Sequence, residues 1–314
     1  MINTTIEGSF SVEVIRDGKV RLSLPRAKYL ITRGGMEDTQ ILGTILEVGT
    51  GGATPVFNDT SLENPLALIA GGSWTSSTSV LTGTDYVKES SSVFTFNIGD
   101  VVGNVAELGV KLGSTLQTRA LFKDGSGDPT TIPVTATDQL IITYFVKKTI
   151  SMIPVTSSML ATLDGVSTTI DFTIRPCIAS SADSGSPAHY PASLYQQTSG
   201  ANLYIQVNSN ESNFATISGP DYIPVLVDSG YDRSDEGSSV VSLTATGNTV
   251  IHTMNTTLDQ CNFKWTCATF QTFSSFDVIN MMFQLEFNGP NYINKTSSDT
   301  VTFKIKETMN QVIS

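Results

Sequence analysis

Apolar and polar residues alternate with period two along much of this chain, the pattern of strands that set one face on a core. Residues 5–24 (TIEGSFSVEVIRDGKVRLSL) carry it most cleanly. Phe10, Val12 and Val14 alternate on one arm, and Val20, Leu22 and Leu24 on the other. Asp17-Gly18 between them is the hairpin turn, the two-residue type I′ signal, because both turn residues need φ > 0. A two-stranded ribbon alone is marginal in water, so this hairpin is expected to pack on the body or on a neighbouring subunit.

Residues 93–148 hold four more alternating runs, separated by Gly, Asp, Ser, Thr and Pro. Ala106, Leu108, Val110 and Leu112 share one face, and Leu140, Ile142 and Tyr144 repeat the pattern. The segment 125–129 (GSGDP) reads as a turn. Suppose residues 105–112 and 116–123 pair through Gly113-Ser114-Thr115. Leu112 then faces Leu116, and Gly109 faces Arg119. Ala120 and Phe122 join the core face, while Glu107, Gly109, Arg119 and Leu121 lie on the other. Glu107 is diagonal to Arg119, within reach of long side chains, and a hydrogen-bonded ion pair is expected. Leu121 shares that face and would otherwise stand exposed, so the face is expected to be covered.

Elsewhere the pattern is weaker. Residues 29–35 (YLITRGG) lead into a short segment at 36–42 expected to form one or two helical turns. A strand at 45–48 ends in GTGGATP. Glycine-rich runs cradle phosphate when a helix N-terminus follows; the extended VFNDTSLENP follows here, so a plain loop is expected. Residues 71–92 read as a loop and an edge strand. Residues 149–198 begin with a strand pair (ISMIPV, TTIDFTIRP) and continue as a long Ser/Pro-rich loop, a candidate contact between subunits.

The second half echoes the first. Residues 203–219 resemble the segment beginning at Ile45, and 283–307 resemble the segment ending at Lys148, with Asp299 where Asp138 stands. The echoes lie about 159 to 164 residues apart, a period that suits duplication of a domain rather than a solenoid. Residues 41–148 and roughly 195–307 are therefore expected to share one fold, although the ELG and RAL runs have no clear counterparts. The expected fold is all-β: two tandem antiparallel β-sandwich (jelly-roll-like) domains with an N-terminal β-hairpin. Residues 1–40 would form the hairpin and connector, 41–148 the first sandwich and 149–314 the second, a diverged duplicate.

Composition narrows the function. The 314 residues are 15% charged and 39% apolar, with a formal net charge of −11. An acidic chain poor in Lys and Arg is not built to hold phosphate backbones, so no nucleic acid is expected as partner. The opening MINTTIEGSF has neither a basic nor an apolar leader region, so no signal peptide is expected. The longest apolar runs are too short to span a bilayer, and no membrane partner is expected. Asn3, Asn58, Asn210, Asn255 and Asn294 match the glycosylation pattern, as Asn/Thr-rich text does by chance. Cys177, Cys261 and Cys267 are odd in number and read as reduced, buried thiols.

Candidate chemistry is thin. The two histidines, His189 and His252, stand apart, with no HxxxH, HxH or Cys-His spacing for zinc. No GxSxG-type nucleophile accompanies them. The acidic stretch Asp221, Asp228, Asp232, Asp235 and Glu236 lacks the alternation of a calcium loop and reads as solvated. No catalytic residue, cofactor or metal is expected, and the chain does not read as an enzyme. Trp265 alternates with Phe263 and Cys267 and reads as core; Trp74 is open between packing and a subunit interface.

Several runs carry a resemblance. The ELG of Glu107–Gly109, the RALF beginning at Arg119, the PTTI turn and the closing LIITYFVKK strand come in the order of a domain of tailed-bacteriophage virion proteins, variously called tail, collar or fibre proteins. A GTG-ATP-like run followed by Asp59, Thr60 and Leu62 (D-T-x-L) fits the same domain, and the hairpin with YLITRGG resembles the start of many phage tail-associated proteins. The resemblance implies a structural protein of a virion, at the neck, collar or tail, made in the host cytoplasm. Its partners would be copies of itself and other virion proteins. The alternative is a capsid decoration or an adhesin that binds host-surface glycan.

Overall fold

The alternating pattern folds into strands through most of the described residues. The structure, a computed structural model, describes residues 3–37, 43–76, 80–151, 153–163, 166–176, 203–208, 233–234, 239–244, 247–256, 258, 264–265, 267–273, 279–289 and 292–312. Strands β1 (Asn3–Arg16) and β2 (Lys19–Lys28) form the N-terminal hairpin. Asp17 and Gly18 between them have φ of 51° and 70°, the left-handed pair of a type I′ turn. β3 (Leu30–Ile31) leads into α1 (Arg33–Glu37), a single helical turn that starts three residues before the expected segment. The remainder of that segment, 38–42, lies outside the described residues.

The first half continues with β4 (Ile45–Gly49), β5 (Pro65–Ala70), β6 (Ser73–Ser76), β7 (Val80–Thr82) and β8 (Asp85–Phe96). Then come β9 (Gly103–Val105), β10 (Glu107–Leu112), β11 (Thr115–Leu121), β12 (Ile132–Val134) and β13 (Asp138–Ser151). Residues 71–92 are thus more ordered than a loop and an edge strand: β6 and β7 both pair with β8, which pairs with β13 from Asp85 to Phe96.

Two sheets face each other across one core. β1, β8 and β13 supply Ile6, Phe10, Val12, Val14, Phe94, Phe96, Leu140, Ile142, Tyr144 and Val146. The sheet ordered β3-β11-β10-β4-β5 answers with Ile31, Leu46, Val48, Leu108, Val110 and Ala120. This is the arrangement that period-two alternation demands when each sheet buries one face. Tyr29 stacks on Tyr144, with ring centroids 4.3 Å apart, and its hydroxyl donates to the Phe145 carbonyl at 2.9 Å. Burial pushes both phenols above the ordinary tyrosine range. The hairpin is no appendage: β1 pairs with β13 from Thr4 to Arg16, and its apolar face belongs to this core.

The β10–β11 hairpin differs from expectation in one respect. Gly109 faces Arg119, but a bulge between Val110 and Lys111 makes Gln117 an extra residue. Lys111 therefore pairs with Leu116 and Leu112 with Thr115, so the expected Leu112–Leu116 pairing does not form. The turn contracts to Gly113-Ser114, with Gly113 at φ 59°. Leu112, at the end of β10, is exposed instead of joining the core.

The second half contains β14 (Val155–Leu163), β15 (Val166–Pro176), β16 (Leu203–Asn208), β17 (Arg233–Ser234), β18 (Ser239–Thr244) and β19 (Gly247–Thr256). It closes with β20 (Lys264–Trp265), β21 (Cys267–Phe273), β22 (Ile279–Asn288), β23 (Ile293–Asn294) and β24 (Val301–Gln311). The expected strand ISMIPV is not one strand. Its Ile150 and Ser151 end β13, and the partner of β15 is β14.

The strand pairings of the first half recur in the second. The order β3-β11-β10-β4-β5 is matched by β15-β22-β21-β16-β17, and the β9–β12 pair by β20–β23. β13 pairs with β8 as β24 pairs with β19. The bulge at Val110/Lys111 has its counterpart at Phe270/Gln271. Even the turns into the closing strands match. Asp138 Oδ2 accepts from Thr135 N and Oγ1, both at 2.8 Å, and Asp299 Oδ2 accepts from Thr296 N and Oγ1 at 2.8 and 2.6 Å. β1 stands between the closing strands, antiparallel to β13 and, over Asn3–Ile6, parallel to β24.

Candidate functional site

Strand alternation sends Leu108, Val110 and Ala120 to the core and leaves Glu107 and Arg119 on the outer face of β10 and β11. Glu107 lies opposite Leu121, so its carboxylate sits diagonally from Arg119. The face is covered. The connection from β4 to β5, residues 50–64, folds over it, burying Leu62 and leaving Leu121 only 7% exposed.

Glu107 is the anchor of that cover. Its side chain has no solvent exposure, and Arg119 retains 4%. Oε1 accepts from Gly51 N at 3.1 Å and Asn64 N at 2.8 Å. Oε2 accepts from Glu63 N at 3.2 Å and from Arg119 Nε and Nη2 at 3.0 and 2.8 Å. Five donors thus surround one buried carboxylate, the condition under which a buried charge is tolerated. One carboxylate grips both ends of the 50–64 connection.

Arg119 holds the middle. Nη1 donates to Asp59 Oδ2 at 2.7 Å, and Nη2 donates to the Ala53 carbonyl at 3.1 Å. Burial pulls the guanidinium pKa down, but the hydrogen bonds to Asp59 and Glu107 outweigh it and the net shift is upward. Asp59 also accepts from Val56 N at 2.9 Å, closing a turn. Glu63 reaches back to accept from Gly52 N and Ala53 N, both at 2.7 Å, and these two bonds hold its carboxyl below the usual range. Gly51 is required by space: a Cβ there would lie 2.4 Å from Glu107 Oε1. Gly109 is likewise hemmed in, with Thr118 O and Leu116 each 2.7 Å from where its Cβ would be.

A second charged cluster fixes the hairpin. Arg16 donates through Nε to Asp138 Oδ1 at 2.9 Å and through Nη2 to Oδ2 at 3.0 Å, and Arg21 lies 3.4 Å from Oδ2. The Arg16 hydrogen bonds hold the Asp138 carboxyl far below its ordinary range, against the opposing effect of burial.

Trp74 donates through Nε1 to the Gly43 carbonyl at 3.0 Å, sits edge-on to Tyr144 at 6.0 Å between centroids and packs against the core. Trp265 is fully buried. The glycine-rich 49–55 run is not followed by a helix; its backbone is turned to Glu107, Arg119 and Glu63. His252 lies in β19 and Cys267 in β21, whereas His189, Cys177, Cys261 and Asp221, Asp228, Asp232, Asp235 and Glu236 fall outside the described residues. Among the described residues no group of three or more His, Cys, Asp and Glu is placed to hold a metal ion. No helix there is long and apolar enough to cross a membrane.

Sequence reasoning reached Glu107, Arg119 and Gly109 because all three lie on one hairpin. It missed the ion pair of Asp59, the backbone bonds of Glu63 and the Arg16–Asp138 pair. The Arg119–Asp59 and Arg16–Asp138 pairs join segments 60 and 122 residues apart, which no local pattern signals. Comparison of the chain with family models, with characterised proteins and with solved structures returns no match.

Proposed function

We propose that this chain is a structural component of a tailed-phage virion, at the neck, collar or tail, that works by oligomeric assembly and has no catalytic role. One observation carries the reading. The runs that resemble the virion domain, ELG, RALF, GTG-ATP and D-T-x-L, meet in one place: Glu107, Arg119, Gly51, Ala53, Asp59 and Leu62 together close a loop over a sheet. Residues far apart in sequence that resemble one family and converge on a rigid clasp suit a scaffold. The ionisable groups of the clasp are engaged with one another and with backbone, leaving no acid, base or nucleophile poised for a substrate.

We also read the two halves as diverged copies of one unit, supported by the recurring strand pairings, the shared bulge and the matching Asp138 and Asp299 turns. In the second copy Cys267 and Gln284 stand at the register positions of Glu107 and Arg119, so the clasp belongs to the first half.

The test is immunoelectron microscopy of tailed-phage particles from the source of this chain, with antibody raised against the purified protein. Gold at a fixed position on the neck, collar or tail is expected; unlabelled particles would overturn the reading. Label spread over the head, or specific retention on a glycan array, would favour the decoration or adhesin instead.

A further inference from the structure

We propose that β5 is a docking edge at which a second copy of this chain adds its own β5, antiparallel, joining the two five-stranded sheets into one. β5 ends its sheet and pairs with β4 alone among the described residues. Its six residues, Pro65, Leu66, Ala67, Leu68, Ile69 and Ala70, carry no polar side chain. Ala67 and Ile69 pack on the core, while Leu66 and Leu68 turn outward with 40% and 62% of their surface exposed. Leu66 extends the apolar surface sideways: it lies 3.4 Å from where a Cβ of Gly103 would be, and the neighbouring Val102 is exposed.

Edge strands that must stay solvated are ordinarily protected by charge, because open N–H and C=O groups template pairing with any other strand. Three other edge strands carry charge or hydroxyls. β2 carries Lys19, Arg21, Arg26 and Lys28. Where Leu68 pairs with Glu47, the recurring register of the second half pairs Arg233 with Gln206, inside the sequence DRSDE. β14 has four hydroxyl residues, Thr156, Ser157, Ser158 and Thr162, among its nine. β5 alone of these four edges has neither charge nor hydroxyl.

The apolar strand itself selects the occupant, and charge sets where two copies can approach. A net charge of −11 opposes the approach of two copies, and an uncharged edge is where that penalty is smallest. A strand that buries Leu66 and Leu68 must itself be apolar at alternate positions. The β5 of another copy meets that need at equal concentration, and pairing about a two-fold axis presents like to like. The inference rests on the assembly reading, but the two are judged separately: particle labelling decides the function, and the following measurement decides the edge.

The test is sedimentation of the wild type from about 1 to about 100 µM, the range in which so small an interface is expected to associate. Hydrogen exchange of residues 65–70 is followed at both extremes. A concentration-dependent dimer is expected, with residues 65–70 more protected at high concentration. Leu68→Lys should weaken the dimer at least about tenfold, while Val20→Lys, on the charged β2 edge, should leave it unchanged. A wild type that stays monomeric overturns the proposal, as does a dimer that Leu68→Lys leaves intact. Exchange at residues 65–70 independent of concentration also overturns it, a readout that needs no variant.

Discussion

Replacing Arg119 by alanine leaves the fully buried Glu107 and the half-buried Asp59 without their cation. Breaking a buried pair from one side costs about 3–5 kcal/mol, most of it from the stranded carboxylate. Urea denaturation of Arg119→Ala should show a loss of that size. Arg119→Lys should recover only a small part, since one ammonium cannot reproduce the fork that grips Glu107, Asp59 and the Ala53 carbonyl together. The double change Glu107→Gln with Arg119→Met should be less destabilised than Arg119→Ala, because it removes both buried charges of the pair. Asp138 gives a pH dependence. Its folded pKa is depressed, so its contribution is fully present above the unfolded carboxylate value of about 3.9 and is lost as pH falls below it. Urea midpoints between about pH 2 and pH 7 should fall on the acid side. In Asp138→Asn that fall should be shallower, starting from a lower neutral-pH midpoint.

At the scale of elements, β1 decides more than its edge position in the sequence suggests. Ile6, Phe10, Val12 and Val14 are buried in the core, so Phe10→Ala should cost about 3–5 kcal/mol by chemical denaturation. Deleting residues 1–24 should prevent folding of the first half, seen as loss of cooperative unfolding, and not merely remove a contact between subunits. β1 and β13 were legible because apolar residues recur at every second position over residues 10–14 and 140–144. The Asp17-Gly18 turn was legible for a similar reason: only residues tolerant of positive φ fit it. β6 and β14 were not legible, because Ser and Thr fill positions where a simple pattern expects apolar residues, and β7 is three residues, too short to show a period. The Gln117 bulge was invisible too, since an inserted residue changes register without changing composition. Glu107 and Arg119 could be paired in advance because Gly109 fixed what lay opposite the guanidinium. The residues that complete the clasp, Asp59 and Glu63, come from a connection whose path no local pattern dictates.

For the whole molecule, the core of the first half draws its buried residues, among those described, from Ile6 to Val146, with none from beyond β13. A fragment of residues 1–151 should therefore unfold cooperatively on its own, measured by circular dichroism against urea; a fragment without cooperative unfolding would mean that the halves fold only together. Such a fragment lacks β24, and in it the side of Asn3–Ile6 that β24 covers stands open. The order of synthesis gives that gap a meaning. Strand β1 leaves the ribosome before the strand that covers this part of it, which is made roughly 300 residues later. Until then the nascent protein carries an exposed strand margin that can recruit the wrong neighbour. The bond from Val312 N to the Ile6 carbonyl, 2.9 Å long, is the last stitch of this seam. A chain whose translation stops before β24 keeps the margin uncovered, so the seam distinguishes molecules that have made β24 from those that have not.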